Sequence, residues 1–208
     1  MKIAVIAANG KAGSLIVDEA LSRGHEVTAI VRGENRTKAQ RAIIKPIQDI
    51  TAADLEGFDA VVDAFGAFAE QDLPLHTATA QQLADISAQT GVHFYIVGGA
   101  GSLFVDPEHT TQLVDTDEFP AEYRPLANAQ RVQLGDLRAR TDAAWTFVSP
   151  AVVFDAAGER TGSYTLSGEE LSFNDKGESV VSYADFAIAM VDLVEDGGHV
   201  RERVSVRW

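Results

Sequence analysis

The stretch Ile3 to Ile16, IAVIAANGKAGSLI, constrains this chain more than any other. An apolar run (Ile3 to Ala7) meets a short turn of small residues, and an amphipathic segment opens at Gly10-Lys11-Ala12-Gly13. The pattern reads as a buried parallel strand turning directly into a helix. The first N–H groups of a helix have no internal partner, and that end carries partial positive charge. Such a turn can cradle a pyrophosphate, provided glycines let the ligand reach the backbone. A second apolar strand (Val27 to Val31) completes a βαβ unit, the context a dinucleotide motif requires.

The glycine pattern itself is degenerate. In the spacing G-x-x-G-x-x-G the chain offers Ala7-Ala8-Asn9-Gly10-Lys11-Ala12-Gly13, with Ala7 in place of the first glycine. The alternative is a purely structural strand-to-helix turn. Ala8, Asn9, Gly10, Lys11, Ala12 and Gly13 are the expected phosphate-binding residues.

Downstream, strand-like runs alternate with helical patterns. Strands are expected at Ala42 to Ile47, Asp59 to Phe65, Val92 to Val97 and Trp145 to Val148, and helices at Leu73 to Thr90 and Pro125 to Arg140. This alternation predicts an α/β fold: a doubly wound, mostly parallel sheet (Rossmann fold) with helices on both faces. The last 55 or so residues change character, with short β-prone pieces, a helix opening at Ser182 with Asp185 as a capping pair, and a final edge strand over Val200 to Val206. No repeat or linker divides residues 1–208, so one domain is expected, with about 151–208 supplying the substrate side.

Composition narrows the partners. The chain has 208 residues, 46% hydrophobic and 23% charged, with a net charge of −14. That balance predicts a globular protein and argues against nucleic acid, whose phosphates need clustered Lys and Arg. The absence of cysteine removes thiolate chemistry, and the five histidines show no metal-ligand spacing, so no metal is expected. No apolar run reaches the roughly 20 residues that span a bilayer, and no signal-like segment precedes the first strand. A cytoplasmic, membrane-free monomer or homodimer acting on a small molecule is the expectation.

In dinucleotide folds an acidic residue about 20 positions past the glycines holds the ribose 2′-OH, and an Arg there takes a 2′-phosphate instead. Arg32 lies 19 residues after Gly13, followed by Arg36. This predicts NADP(H) in preference to NAD(H). Gln48-Asp49-Ile50 would lie beside the adenine, and Phe65-Gly66-Ala67 near the pyrophosphate and ribose. Gly98-Gly99-Ala100-Gly101 would let a nicotinamide or substrate rest on the backbone, with the hydroxyls of Ser102 and Tyr123 as candidates to polarise a carbonyl.

Together the opening strand-turn-helix, the Arg-terminated second strand, Val97 to Ser102, Tyr123 to Leu137 and Thr146 to Pro150 resemble the atypical short-chain dehydrogenase/reductases. More narrowly they resemble the NAD(P)-binding group of NmrA-like proteins and biliverdin-IX-beta/flavin reductases, as does Asp155 to Tyr164 with Gly158-Glu159-Arg160-Thr161-Gly162. The resemblance spans the chain. It implies that Ser149-Pro150 bounds the nicotinamide side and that the protein is an oxidoreductase, an NADPH-dependent reductase acting on a flavin- or quinone-like acceptor. Two alternatives come with the group: a non-catalytic NADP(H) redox sensor, or an epimerase/isomerase. The larger superfamily's Tyr-x-x-x-Lys pair is missing, since Tyr123 is followed four positions later by Ala127 and none of the five lysines lies four after a tyrosine.

Overall fold

The computed structural model describes residues 1–208, and its strands and helices alternate as the sequence pattern requires. The strands are β1 (Lys2–Ile6), β2 (Glu26–Val31), β3 (Arg41–Ile44), β4 (Ala60–Asp63), β5 (His93–Val97), β6 (Trp145–Pro150), β7 (Val153–Asp155), β8 (Thr165–Ser167), β9 (Val180–Ser182) and β10 (Glu202–Arg207). The helices are α1 (Lys11–Ser22), α2 (Ala52–Leu55), α3 (Leu75–Thr90), α4 (Arg124–Arg138) and α5 (Tyr183–Asp196). Eight strands form one sheet in the order β3-β2-β1-β4-β5-β6-β10-β8, and β7 and β9 form a separate two-stranded ladder. All pairs in the large sheet are parallel except β8 against β10. The fold is therefore α/β and Rossmann-like.

Each sheet face is covered because the strands carry apolar residues on both sides. Val5, Val62, Tyr95 and Val148 face α1 and α5, while Ile6, Val61, Ile96 and Phe147 face α2, α3 and α4. Strand order reverses at β1: the chain moves outward through β2 and β3, then returns to β4 on the other side. In open α/β sheets that switch leaves a crevice beyond the carboxyl ends of the strands, where ligands bind. No helix is long and apolar enough to cross a membrane.

Several local expectations need correcting. The final strand is interior, not an edge, because β10 pairs with both β6 and β8. The third strand ends at Ile44, and Ile47–Asp49 is a turn of 3-10 helix whose start is set by Pro46. The capping pair at α5 is half formed: Ser182 Oγ accepts the Asp185 N–H at 3.0 Å, but the Asp185 carboxylate turns elsewhere. It accepts from Thr161 Oγ1 (2.6 Å), Gly162 N (2.9 Å) and Trp208 Nε1 (2.6 Å), joining the 161–162 loop and the C-terminus to α5. Those hydrogen bonds hold its carboxyl below the usual range despite burial, which acts in the opposite sense. Arg160 of the same loop pairs with Glu19 of α1 at 2.7 Å.

Candidate functional site

The turn after β1 is built around Ala7. Its φ of 54° puts a non-glycine residue in left-handed backbone, at the position where the glycine pattern has its first glycine. The Gly10 N–H donates to the Ala7 carbonyl at 2.8 Å and closes the turn. A Cβ on Gly13 would sit 2.6 Å from that same carbonyl oxygen, so only glycine lets α1 start this close to β1. The first turn of α1 has no side-chain cap and no acidic residue, and the N–H groups of Lys11, Ala12 and Gly13 find no acceptor in the protein. Two other helices are closed by side chains, α2 with a Thr51–Asp54 capping box and α5 with Ser182, while α3 and α4 also start without a side-chain cap. Asn9, the nearest possible cap, is committed to the loop after β2: Nδ2 donates to the Glu34 carbonyl at 2.8 Å and Oδ1 accepts the Arg36 N–H at 2.8 Å. What remains is a positive helix end with free donors, suited to an anion.

Beside it, the exposed guanidiniums of Arg32 and Arg36 have no partner, although the protein carries 31 acidic side chains. Most other arginines are paired, among them Arg23, Arg131 and Arg140. The next turn, after β3, is fixed by Gln82, whose Nε2 donates to the Ile50 carbonyl at 2.6 Å. The Ile50 side chain is buried in the core, which leaves only its backbone for the expected contact, whereas Asp49 is exposed.

Beyond β4 the backbone is held by two buried ionisable groups that sequence reasoning did not single out. Asp63 ends the strand and accepts the Phe65 N–H at 2.9 Å. Burial pushes its carboxyl up to about 6, and that single hydrogen bond opposes the shift only in part. His76 of α3, kept below its ordinary pKa by burial, donates through Nε2 to the Ala67 carbonyl at 3.0 Å. Phe65, Gly66 and Ala67 thus form a fixed rim next to the β1 turn, and Ala64 N donates back to Ile6 at 3.2 Å.

The glycine-rich segment after β5 serves a different purpose from the one expected. A Cβ on Gly98 would lie 2.1 Å from the Phe147 ring, one on Gly99 2.2 Å from Gln130 Oε1 and one on Gly101 2.7 Å from Ala127 Cβ. The glycines let β6 and α4 close against this backbone, so the space over them is filled by the protein. Ser102 is likewise corrected as an open hydroxyl. It is 3% exposed, its Oγ accepts from Arg203 Nη1 at 3.0 Å and its carbonyl from Arg203 Nη2 at 3.0 Å. Arg203 is fully buried, pairs with Glu169 and sits near the start of β10, below the open end of the sheet. Glu169 in turn accepts Phe104 N–H through its carbonyl at 2.9 Å, strapping the C-terminal segment to the loop after Ser102. The ion pair could have been suspected from an Arg in an otherwise alternating strand.

Tyr123 stands at the start of α4 and is 58% exposed. It does precede the helix, but Arg124 is itself helical (φ −56°, ψ −43°), with Pro125 in the first turn, where its missing N–H is harmless. Ser149 and Pro150 end β6, both buried; the Ser149 hydroxyl has no hydrogen-bond partner, nor does that of Ser205, its register neighbour on β10. His93 is structural: it contacts Thr146 Oγ1 at 2.8 Å and Tyr95 Oη at 3.0 Å, and burial pushes its pKa down to about 4.

The sequence of residues 7–197 matches the model of a family described as NAD(P)H-binding. The chain belongs to this NAD(P)H-binding family. The Bacillus subtilis protein YwnB, itself uncharacterized, is 48% identical over 209 residues, covering 99% of this chain and 98% of YwnB. A Streptococcus pneumoniae protein, provisionally assigned as an NADH-flavin reductase, is 52% identical, with a TM-score of 0.97 over 100% of this chain and 99% of that one. A Bacteroides thetaiotaomicron protein, provisionally assigned as an epimerase, is 32% identical with a TM-score of 0.87, covering 100% and 96%. The resemblance to the NmrA-like and biliverdin reductase-like group fits these matches. A nicotinamide cofactor is the ligand of the family, and the uncapped start of α1 fits its pyrophosphate.

Proposed function

We propose that this NAD(P)H-binding protein is an NADPH-dependent reductase acting on a small conjugated or carbonyl acceptor of flavin or quinone type. The observation that carries the reading is the free start of α1 with two unpaired arginines, Arg32 and Arg36, on the loop that Asn9 ties to it. Lys11, Ala12 and Gly13 would hold the pyrophosphate through their N–H groups. The two guanidiniums would grip the 2′-phosphate in charge-assisted hydrogen bonds. Asp49 would lie beside the adenine, the rim at Phe65 to Ala67 near the pyrophosphate and ribose, and Ser149 and Pro150 would bound the nicotinamide side.

When bound, the reduced cofactor supplies hydride. The protein's part is to bind, to orient and to exclude water; Tyr123, exposed at the start of α4, is the one candidate of the original pair still open to donate a proton. The relative's assignment as an NADH-flavin reductase supports the reaction class. It names NADH, and the arginine pair is the reason for preferring NADPH here.

A redox sensor is the second reading, favoured by the locked state of Ser102 and by the lack of a lysine near Tyr123. NADPH oxidation assayed against flavins, quinones and aldehydes separates the two. Turnover on a planar acceptor supports the reductase, and tight NADPH binding with no turnover on any acceptor supports the sensor.

A further inference from the structure

The residues after β4 are held more firmly than a connection requires, and what they hold out is an aromatic ring. Asp63 and His76, both buried, fix the backbone at Phe65 and Ala67. His76 is in turn fixed by Gln133, whose Nε2 donates to its carbonyl at 3.0 Å, and by the Phe65 ring at a centroid distance of 5.7 Å. The next side chain, Phe68, is 80% exposed. Its ring edge folds back over Gly66, where a Cβ would lie 3.3 Å from it. The core gains almost nothing from Phe68, and isolated exposed apolar residues need no special explanation. A ring next to a backbone braced by two buried ionisable groups is a different case, because its point of attachment is fixed and less freedom is lost when it stacks.

Its place in the chain says which half of the crevice it borders. Arg32, Arg36 and Asp49 lie beyond β2 and β3, on one side of β1, while β4 and its loop lie on the other. Phe68 therefore stands on the half of the crevice away from the 2′-phosphate end. We infer that Phe68 is the stacking surface for the planar ring of the acceptor and sets a preference for flat conjugated acceptors over small aliphatic carbonyls. This rests on the reductase reading, and its test does not require turnover.

Riboflavin is titrated into the NADP-loaded protein and binding is read from quenching of flavin fluorescence. Base-on-aromatic stacking strengths put the expected loss for Phe68→Ala at about tenfold or more, with Phe68→Tyr within about twofold of the parent. NADPH affinity should stay within about twofold in both variants, since the ring serves the acceptor and not the cofactor. Thermal melts check folding, which an exposed side chain should leave unchanged. Absence of riboflavin binding in the parent, or unchanged riboflavin affinity in Phe68→Ala, overturns the inference. So does an NADPH affinity that falls in step, which would assign the ring to the cofactor. NADPH oxidation is scored separately. Flavin binding through Phe68 without oxidation leaves the ring site standing and removes the reductase. Oxidation with Phe68-independent binding does the reverse.

Discussion

Asn9 Oδ1 accepts the backbone N–H of Arg36 at 2.8 Å, so the residue best placed to cap α1 instead positions the loop that carries the free arginines. Its Nδ2 adds a second bond, to the Glu34 carbonyl. One amide thereby couples the start of α1 to the loop proposed to hold the 2′-phosphate. Asn9→Ala should cost about 1–2 kcal/mol of stability for two partly exposed hydrogen bonds. It should also weaken NADPH by about tenfold more than NADH, because only the phosphate end loses its alignment. Isothermal titrations of both cofactors check this, and equal weakening would place Asn9 outside the discrimination.

Gly13 and Ala7 make opposite predictions although both belong to the glycine pattern. Gly13→Ala drives a Cβ to 2.6 Å from the Ala7 carbonyl, backbone against backbone. Overpacking of this kind costs roughly 1–3 kcal/mol, a fall in Tm of about 3–10 °C for a chain of this size. Ala7→Gly relieves left-handed strain of about 1 kcal/mol and gives back a similar amount in unfolded-state entropy. Its Tm should stay within about 3 °C of the parent. Thermal melts of the two variants give the answer, and a large loss for Ala7→Gly would mean that the turn is not strained as described.

Asp63 ties stability to pH. Its folded pKa, up at about 6, lies above the ordinary carboxylate value, so its contribution is whole below about pH 4 and is lost as pH rises through 6. At pH 8 the buried charge costs up to roughly 3 kcal/mol, which Asp63→Asn should recover in large part. The Asn side chain still accepts the Phe65 N–H. The advantage of the variant should shrink as pH falls from 8 to about 5, read as the difference in Tm across a pH series. A difference that does not change with pH would contradict the assignment.

Period and turn chemistry made most of the sheet legible, because a parallel strand buried on both faces must carry a near-continuous apolar run, as Ile3 to Ile6, Ala29 to Val31, Ala60 to Val62 and Phe94 to Val97 do. Arg32 could be found by its distance from Gly13, since a βαβ unit has a fixed length. What could not be read were pairings between distant segments. Arg203 captures Ser102 across 101 positions, which turns an apparently available hydroxyl into a buried acceptor. The glycines after β5 looked like a ligand surface, but Phe147, Gln130 and Ala127 fill the space their missing side chains leave. Glycine marks close approach without saying what approaches. Asp63 and His76 left no pattern at all, because a single buried polar residue in an apolar run has no period.

The central claim is that the free start of α1 and the two unpaired arginines form an NADP(H) site. Dissociation constants for NADPH and NADH, measured by calorimetry on the parent and on Arg32→Ala, test it most directly. The parent should bind NADPH at least about tenfold more tightly than NADH, the worth of one charge-assisted phosphate contact, and Arg32→Ala should lose most of that margin while keeping its NADH affinity. Equal affinities in the parent, or equal loss of both cofactors in the variant, would contradict the claim.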